Sequence, residues 1–400
     1  MTRMRFGIFM PGFHTDLSDD VTSCFDRDIE VIQIMDRLGF DEVWIGEHHS
    51  GGAELIADPI SFAAYVAAKT QHIDLGLGVV SLPYHNPLMV ADRVIQLDHL
   101  TRGRMIFGAG AGGLPSDAEM LGLDPRELRD ALEFDLDIIM RLLNGDEAVS
   151  AETDRYTLRN ARCQLMPYSQ PIRMGVAGIA SPTGARLAGR HGMALLSLGA
   201  TSPEGFEALA GQWSVIEQQA MKYGRPQPER KDWRLLGPMH IAETREQAIE
   251  DVRHGLVAFA KYTRDVCAVP HFRAASDNFD ELVNWINGTG VGVIGTAEDA
   301  IKQIERLEAK SGGFGTYLML HAEWANRDAT RKHFELFANY VKPALQKTNR
   351  RRRASEQWCI ENLAEMDAKS SAAIAKAIAK QESESNSNEV GKFTSPRERA

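Results

Sequence analysis

Three groups of residues in this sequence are of types that do chemistry. The first is Glu47-His48-His49, set directly after the apolar run Val43-Trp44-Ile45 and before the turn-forming Ser50-Gly51-Gly52. Carboxylates and imidazoles move protons and bind metals. Alternation along a strand would point Glu47 and His49 one way and His48 the other, so the three would not close on one metal ion. No HExxH or CxxC spacing stands beside them, and no metal site is expected. Proton transfer and plain loop hydrogen bonding are the two readings left open. The second group, Ser181-Pro182-Thr183-Gly184, stands where a helix is expected to begin. Free backbone N–H groups and the helix dipole favour an anion there; an ordinary helix cap is the plainer use. The third group is glycine, in Leu75-Gly76-Leu77-Gly78-Val79 and in Gly108-Ala109-Gly110-Ala111-Gly112-Gly113. Such glycines either let backbone approach a flat ligand or serve tight strand packing. The second run has no GxGxxG match with an acidic partner, which weakens a dinucleotide-fold reading.

These residues need elements to position them. Apolar runs predict strands at Met4–Met10, up to Glu47, at Ile73–Val80, Arg104–Ala109, Ile172–Val176, Met193–Leu198, Trp233–Ala242 and Phe314–Leu320. Between them lie helical periods: Phe25–Leu38, from Pro59, Pro87–Leu100, Glu127–Leu143, from Ser181 to His191, Pro203–Tyr223, Thr244 to about Asp265, from Thr296 to about Ala309, and Asp328–Gln346. Asn144 to Gln170 reads as an excursion with a short hairpin around Tyr156–Leu165, and Cys267 to Gly292 as a long loop without periodicity. Eight near-regular strand–helix units favour a (β/α)8 TIM barrel with insertions over a doubly wound sheet. In such a barrel the chemistry sits where strands end, as Glu47-His48-His49 and Ser181 to Gly184 would.

Composition narrows the class. The chain has 400 residues, 44% hydrophobic and 25% charged, with a formal net charge of −10. That usage is globular, and the acidic balance argues against a nucleic-acid surface. Cys24, Cys163, Cys267 and Cys359 show no framework spacing and read as reduced thiols of a cytoplasmic protein. No apolar run reaches the length of a membrane span, and no signal peptide is evident. The stretch 347–400, with Arg350 to Arg353 and a run of serines and glutamates, has too little apolar surface to fold alone. It reads as a polar, partly helical and partly disordered tail on a domain spanning 1–346.

Several separated motifs together resemble the bacterial luciferase-like flavin monooxygenases. They are Arg5-Phe6-Gly7-Ile8-Phe9, Glu47-His48-His49, the Gly76-to-Pro87 run, Leu97-Asp98-His99-Leu100-Thr101-Arg102-Gly103-Arg104 leading into Phe107-Gly108, Ser181 to Gly192, and Gly295-Thr296-Ala297-Glu298. Ile45 to Ser50 and Val80 to His85 place the chain nearest the limonene 1,2-monooxygenase-like group. The resemblance implies a luciferase-like barrel and a monooxygenase that uses reduced flavin and O2, by way of a flavin 4a-(hydro)peroxide. The flavin would be FMN, with FAD as the alternative, reduced by NAD(P)H through a separate flavin reductase. The substrate would be a small apolar molecule, a terpene-like alkene such as limonene or a cyclic ketone. A homodimer is implied, with neither nucleic acid nor membrane as partner. On the residues, His48 would be the catalytic base or hydrogen-bond partner, oriented by Glu47. Gly78-Val79 would carry a non-proline cis peptide against the flavin ring. Ala109 and Gly110 would border the flavin. Ser181, Thr183 and Gly184 would hold its phosphate, and Cys267 to Gly292 would be a mobile loop over the site. Luciferase carries an arginine where this chain has Ala111, so the phosphate contacts differ. The alternatives are a deazaflavin-dependent oxidoreductase on the same fold and a non-catalytic partner subunit.

Overall fold

The computed structural model describes residues 3–145, 147–179, 181–267, 273, 274 and 276–390. Eight parallel strands form a closed barrel: β1 (Arg5–Met10), β2 (Glu42–Ile45), β3 (Asp74–Leu77), β4 (Met105–Gly110), β5 (Met174–Gly178), β6 (Ala194–Ser197), β7 (Trp233–Ile241) and β8 (Thr316–Leu320). Each pairs with its successor in sequence, and β8 closes on β1 with Arg5 opposite Thr316 and Phe9 opposite Leu320. The strands are buried on both faces, which is why they read as apolar runs. Around them stand α1 (Val21–Arg37), α2 (Pro59–Ala67), α3 (Pro87–Thr101), α4 (Leu128–Asn144), α5 (Thr183–His191), α6 (Pro203–Lys222), α7 (Ala297–Ser311) and α8 (Arg327–Leu336), the last continuing through one π-helical turn to Gln346. Asp20, Asp58, Asn86, Ser202 and Asn326 cap five of these helices by accepting a backbone N–H.

The barrel interior is filled by Trp44 of β2, and glycines make room for it. A Cβ at Gly76 would lie 2.4 Å from the indole, and one at Gly108 2.9 Å from it. The same Gly108 Cβ would fall 1.9 Å from the Leu77 carbonyl oxygen. Tight packing therefore explains these glycines, rather than approach of a ligand. Below Trp44, the fully buried Glu42 accepts from the indole Nε1 at 2.8 Å and from Arg234 Nε at 2.8 Å, and pairs with Arg5 at 2.6 Å. A buried carboxylate survives only when so matched. This network seals the N-terminal mouth and leaves the C-terminal ends of the strands for chemistry.

The predicted third strand is in fact two. β3 stops at Leu77, the Gly78–Val79 peptide is cis, and Val80-Ser81 then pairs with Ala109-Gly110 of β4. The hairpin in the excursion joins Val149–Glu152 to Thr157–Ala161, somewhat earlier than expected. The helix expected from Thr244 is broken into Arg245–Asp251 and Leu256–Asp265. The region expected to be a structureless loop is corrected: Phe279–Thr289 is a helix capped by Asn278, with Leu282, Val283 and Ile286 buried. Residues 268–272 and 275 of that region lie outside the described residues. By its internal contacts the chain divides into 1–346 and 347–400. The second unit contains helices Arg350–Glu361 and Leu363–Val390, the latter running through the serine-rich stretch read as disordered. No described helix is long and apolar enough to cross a membrane.

Candidate active site

A cavity of about 390 Å³ opens at the C-terminal ends of the strands. Its lining includes Glu47 and His48 after β2, Gly78 and Val79 after β3, Gly110 at the end of β4, and Ser181, Thr183 and Gly184 at the start of α5. These are the residues the sequence singled out, with one exception. Ala109 is fully buried in the hydrophobic core and is not among the lining residues. It pairs with Val80, and its neighbour Gly110 reaches the cavity. Phe9, Leu132, Ile179 and Leu198 add apolar wall, and Arg129 adds a guanidinium.

The two neighbours in the Glu47-His48 pair do different jobs. β2 ends at Ile45, so strand alternation does not reach them. The Glu47 carboxylate accepts from the Ser81 N–H at 2.7 Å and lies 2.6 Å from His85 Nε2 and 3.1 Å from His49 Nε2. Burial alone would raise its pKa; those hydrogen bonds outweigh burial and hold it low. The expectation that Glu47 orients His48 is therefore corrected. Two other carboxylates flank His48. Its Nε2 lies 3.6 Å from Glu54 Oε1, and its Nδ1 lies 3.5 Å from Asp117 Oδ2. Burial pushes the His48 imidazole down, but the charges of Glu54 and Asp117 outweigh it and raise its pKa above the ordinary histidine value. Asp117 comes from the short helix Pro115–Met120, which neither periodicity nor the glycine run revealed. Its Oδ1 accepts the His49 backbone N–H at 3.1 Å, which fixes the carboxylate against the histidine pair.

The helix start at α5 is not capped by a side chain. Its N-cap is Pro182, which has no side chain to offer as a cap, so the hydroxyls of Ser181 and Thr183 border the cavity instead. Gly184 lets the helix press on β5, since a Cβ there would fall 2.4 Å from the Ala177 carbonyl oxygen. Arg129, in the first turn of α4, has no ion-pair partner among the described residues. It lines the same cavity as Ala111. A cation on an exposed turn has no distinguishing pattern in sequence, and only the fold brings it to Ser181. Two hydroxyls, free helix N–H groups and an unpartnered guanidinium form a donor set suited to a phosphate dianion. Phe9, Val79, Ile179 and Leu198 form an apolar surface suited to a flat ring. The residues present thus fit a flavin mononucleotide.

Comparison with known proteins places the chain in a family. The luciferase-like monooxygenase family model matches residues 4–313. The chain is 50% identical over 341 residues to limonene 1,2-monooxygenase of Rhodococcus erythropolis, covering 85% of this chain and 86% of that one. It is 38% identical to 4-hydroxyprotoasukamycin monooxygenase of Streptomyces nodosus subsp. asukaensis, over 90% of this chain and 97% of that one. A solved structure with the same fold is the oxygenating constituent of 3,6-diketocamphane monooxygenase from Pseudomonas putida, a type II Baeyer–Villiger enzyme in complex with FMN. It has a TM-score of 0.69 and 20% identity, and the match covers 86% of this chain and 99% of that one. The chain belongs to the luciferase-like monooxygenase family and is a flavin-dependent monooxygenase.

Proposed function

We propose that this monooxygenase takes reduced FMN from a separate NAD(P)H-dependent flavin reductase and uses O2 to oxygenate a small cyclic alkene of the limonene class. The observation that carries the reading is the cavity of about 390 Å³, in which a phosphate-type donor set and an apolar wall meet His48. Half of the aligned residues are shared with a limonene 1,2-monooxygenase, which supports the substrate class. That the diketocamphane enzyme is the oxygenating constituent of its monooxygenase supports a separate source of reduced flavin. In this reading Ser181, Thr183 and Arg129 hold the phosphate. Gly78, Val79 and Gly110 border the ring, and Phe9 and Leu198 keep water away from it. Bound reduced flavin would supply the two electrons that activate O2. His48 holds a proton at the reacting oxygen, and Glu47 locks His49 and His85 beside it.

The test is anaerobic. Protein and chemically reduced FMN are mixed, oxygenated buffer is added, and flavin absorbance and products are followed with and without limonene. The expected result is reoxidation slower than that of free FMN, hastened by limonene and coupled to an epoxide. Reoxidation at the rate of free FMN with no oxygenated product would remove this reading. Selective binding of a deazaflavin would point to hydride transfer instead.

A further inference from the structure

The two nitrogens of His48 both face carboxylate oxygens, Nε2 towards Glu54 and Nδ1 towards Asp117. A neutral imidazole has one N–H and one lone pair, so it can satisfy only one of these neighbours. The other contact would set lone pair against lone pair. His48 Nδ1 and Asp117 Oδ2 are buried and have no hydrogen-bond partner of their own. Burial raises the Glu54 carboxyl pKa, while the His48 charge and the Tyr262 hydroxyl oppose it. With both carboxylates ionised, the imidazolium, with a proton on each nitrogen, suits both sides; at 3.6 Å Glu54 is a charge contact beyond hydrogen-bond reach, so it does not consume the Nε2 proton.

Glu54 is built into this arrangement. Its segment is tied to the end of β1 by a bridge, with His14 N–H donating to the Ala53 carbonyl at 2.8 Å and Leu55 N–H to that of Gly12 at 3.3 Å. The backbone of His48 is tied to the same segment, donating to the Ile56 carbonyl at 3.0 Å. Glu54 is buried, and its Oε2 accepts the Tyr262 hydroxyl at 3.2 Å, which leaves Oε1 for His48. The groups facing His48 are thus Glu54 from the loop after β2 and Asp117 from the Pro115–Met120 helix. Glu47 is the third nearby charge, and Tyr262 acts through Glu54.

We propose that Glu54 is a positioning residue that keeps His48 doubly protonated, so that His48 meets the reacting oxygen as an N–H donor and biases the enzyme towards alkenes over ketones. The bias rests on the flavin monooxygenase reading above. Overall, reduced flavin (two electrons and two protons), O2 and the alkene give oxidised flavin, epoxide and water. The alkene π pair forms one C–O bond as the O–O bond breaks, an electron pair of the same oxygen closes the second C–O bond, and the other oxygen atom leaves as water. His48 lends a proton to that departing oxygen and is reprotonated by the proton that the transferred oxygen sheds. An N–H at this place assists departure and suits transfer to an electron-rich alkene. A base there would instead remove a proton and suit attack on a ketone carbonyl.

The test uses the full chain in two arms. In flavin-free protein, the imidazole of His48 is titrated by NMR, with His48→Gln to assign its signal. Glu54→Gln should lower the His48 pKa by one unit or more, a tenfold loss of proton affinity, and Glu54→Asp should recover part of it. Identical titration in wild type and Glu54→Gln overturns the proposal. If Glu54→Gln fails to fold, Glu54→Asp carries the test: the shorter side chain withdraws its carboxylate from Nε2 and should lower the His48 pKa by a smaller amount, and no change overturns. In the second arm, Glu54→Gln should cut kcat for limonene epoxidation at least tenfold, with KM and the FMN Kd within twofold, and shift the alkene-to-cyclohexanone product ratio towards the ketone. An unchanged ratio overturns the bias. If wild type oxidises neither substrate, the functional reading fails, while the titration still decides the role of Glu54.

Discussion

At the scale of single residues, the site separates groups that hold from groups that react. Glu47 is spent on Ser81, His49 and His85, whereas His48 presents its ring to the cavity. Replacing His48 by Ala removes the proton-handling ring and leaves Ser181, Thr183 and Arg129 intact. Flavin affinity should therefore stay within a few-fold of wild type. Coupled oxygenation should fall by about 10²-fold or more, the scale of a lost general acid–base group. Measuring product per flavin oxidised checks this, and an undiminished yield would exclude His48 from the reaction. The residues legible in the sequence were those inside short, recognisable runs. Glu54, Asp117 and Arg129 were not, because each comes from a different part of the chain, a loop, a short helix and the first turn of α4, and acquires its meaning only when the barrel brings it to His48 or to the cavity.

At the scale of elements, the eight strands were legible because burial on both faces makes each an unbroken apolar run. Most outer helices announced themselves through a cap and a single buried stripe. The helices Pro115–Met120 and Phe279–Thr289 were missed for opposite reasons. The first is too short to show a period, and the second ends in Asn287-Gly288-Thr289-Gly290, which reads as a turn. The glycines were half legible: the sequence left ligand approach and strand packing open, and the indole of Trp44 decides for packing at Gly76 and Gly108, while Gly78 and Gly110 reach the cavity. A Cβ at Gly76 would sit 2.4 Å from that ring, which is itself fully buried and cannot withdraw. Gly76→Ala should destabilise the barrel by about 1–3 kcal/mol, as overpacking does. Gly211→Ala is the control: Gly211 lies within α6 with nothing within 4 Å of its would-be Cβ, so it should gain up to about 1 kcal/mol from helix propensity. Urea midpoints of the two variants check the pair, and equal midpoints would show that Trp44 does not govern the interior.

At the scale of the whole molecule, the barrel must be held shut where its first and last strands meet. Just beyond β1, the buried His14 lies 3.1 Å from Asp28 of α1 and 3.2 Å from Glu323, which follows β8. Arg27 joins the cluster through Glu323 at 3.1 Å. Burial would push the His14 imidazole down, but hydrogen bonds and charge from Asp28 and Glu323 raise its pKa from 6.5 to about 9. A histidine whose pKa is raised on folding contributes stability that is fully present below its unfolded pKa and vanishes above the folded one. The contribution should thus be complete below pH 6.5, fall between pH 6.5 and about 9, and be absent beyond. Its size is on the order of 2–3 kcal/mol. Burial would raise the Glu323 pKa, but His14, His321 and Arg27 hold it low, so Glu323 stays ionised across this window and the change belongs to His14. His14→Gln keeps a polar side chain at the seam but cannot carry the proton. Urea unfolding at pH 6 and at pH 9.5 should therefore show a larger loss of stability in wild type than in His14→Gln. Equal losses in the two proteins would mean that the seam is closed by the β1–β8 ladder alone.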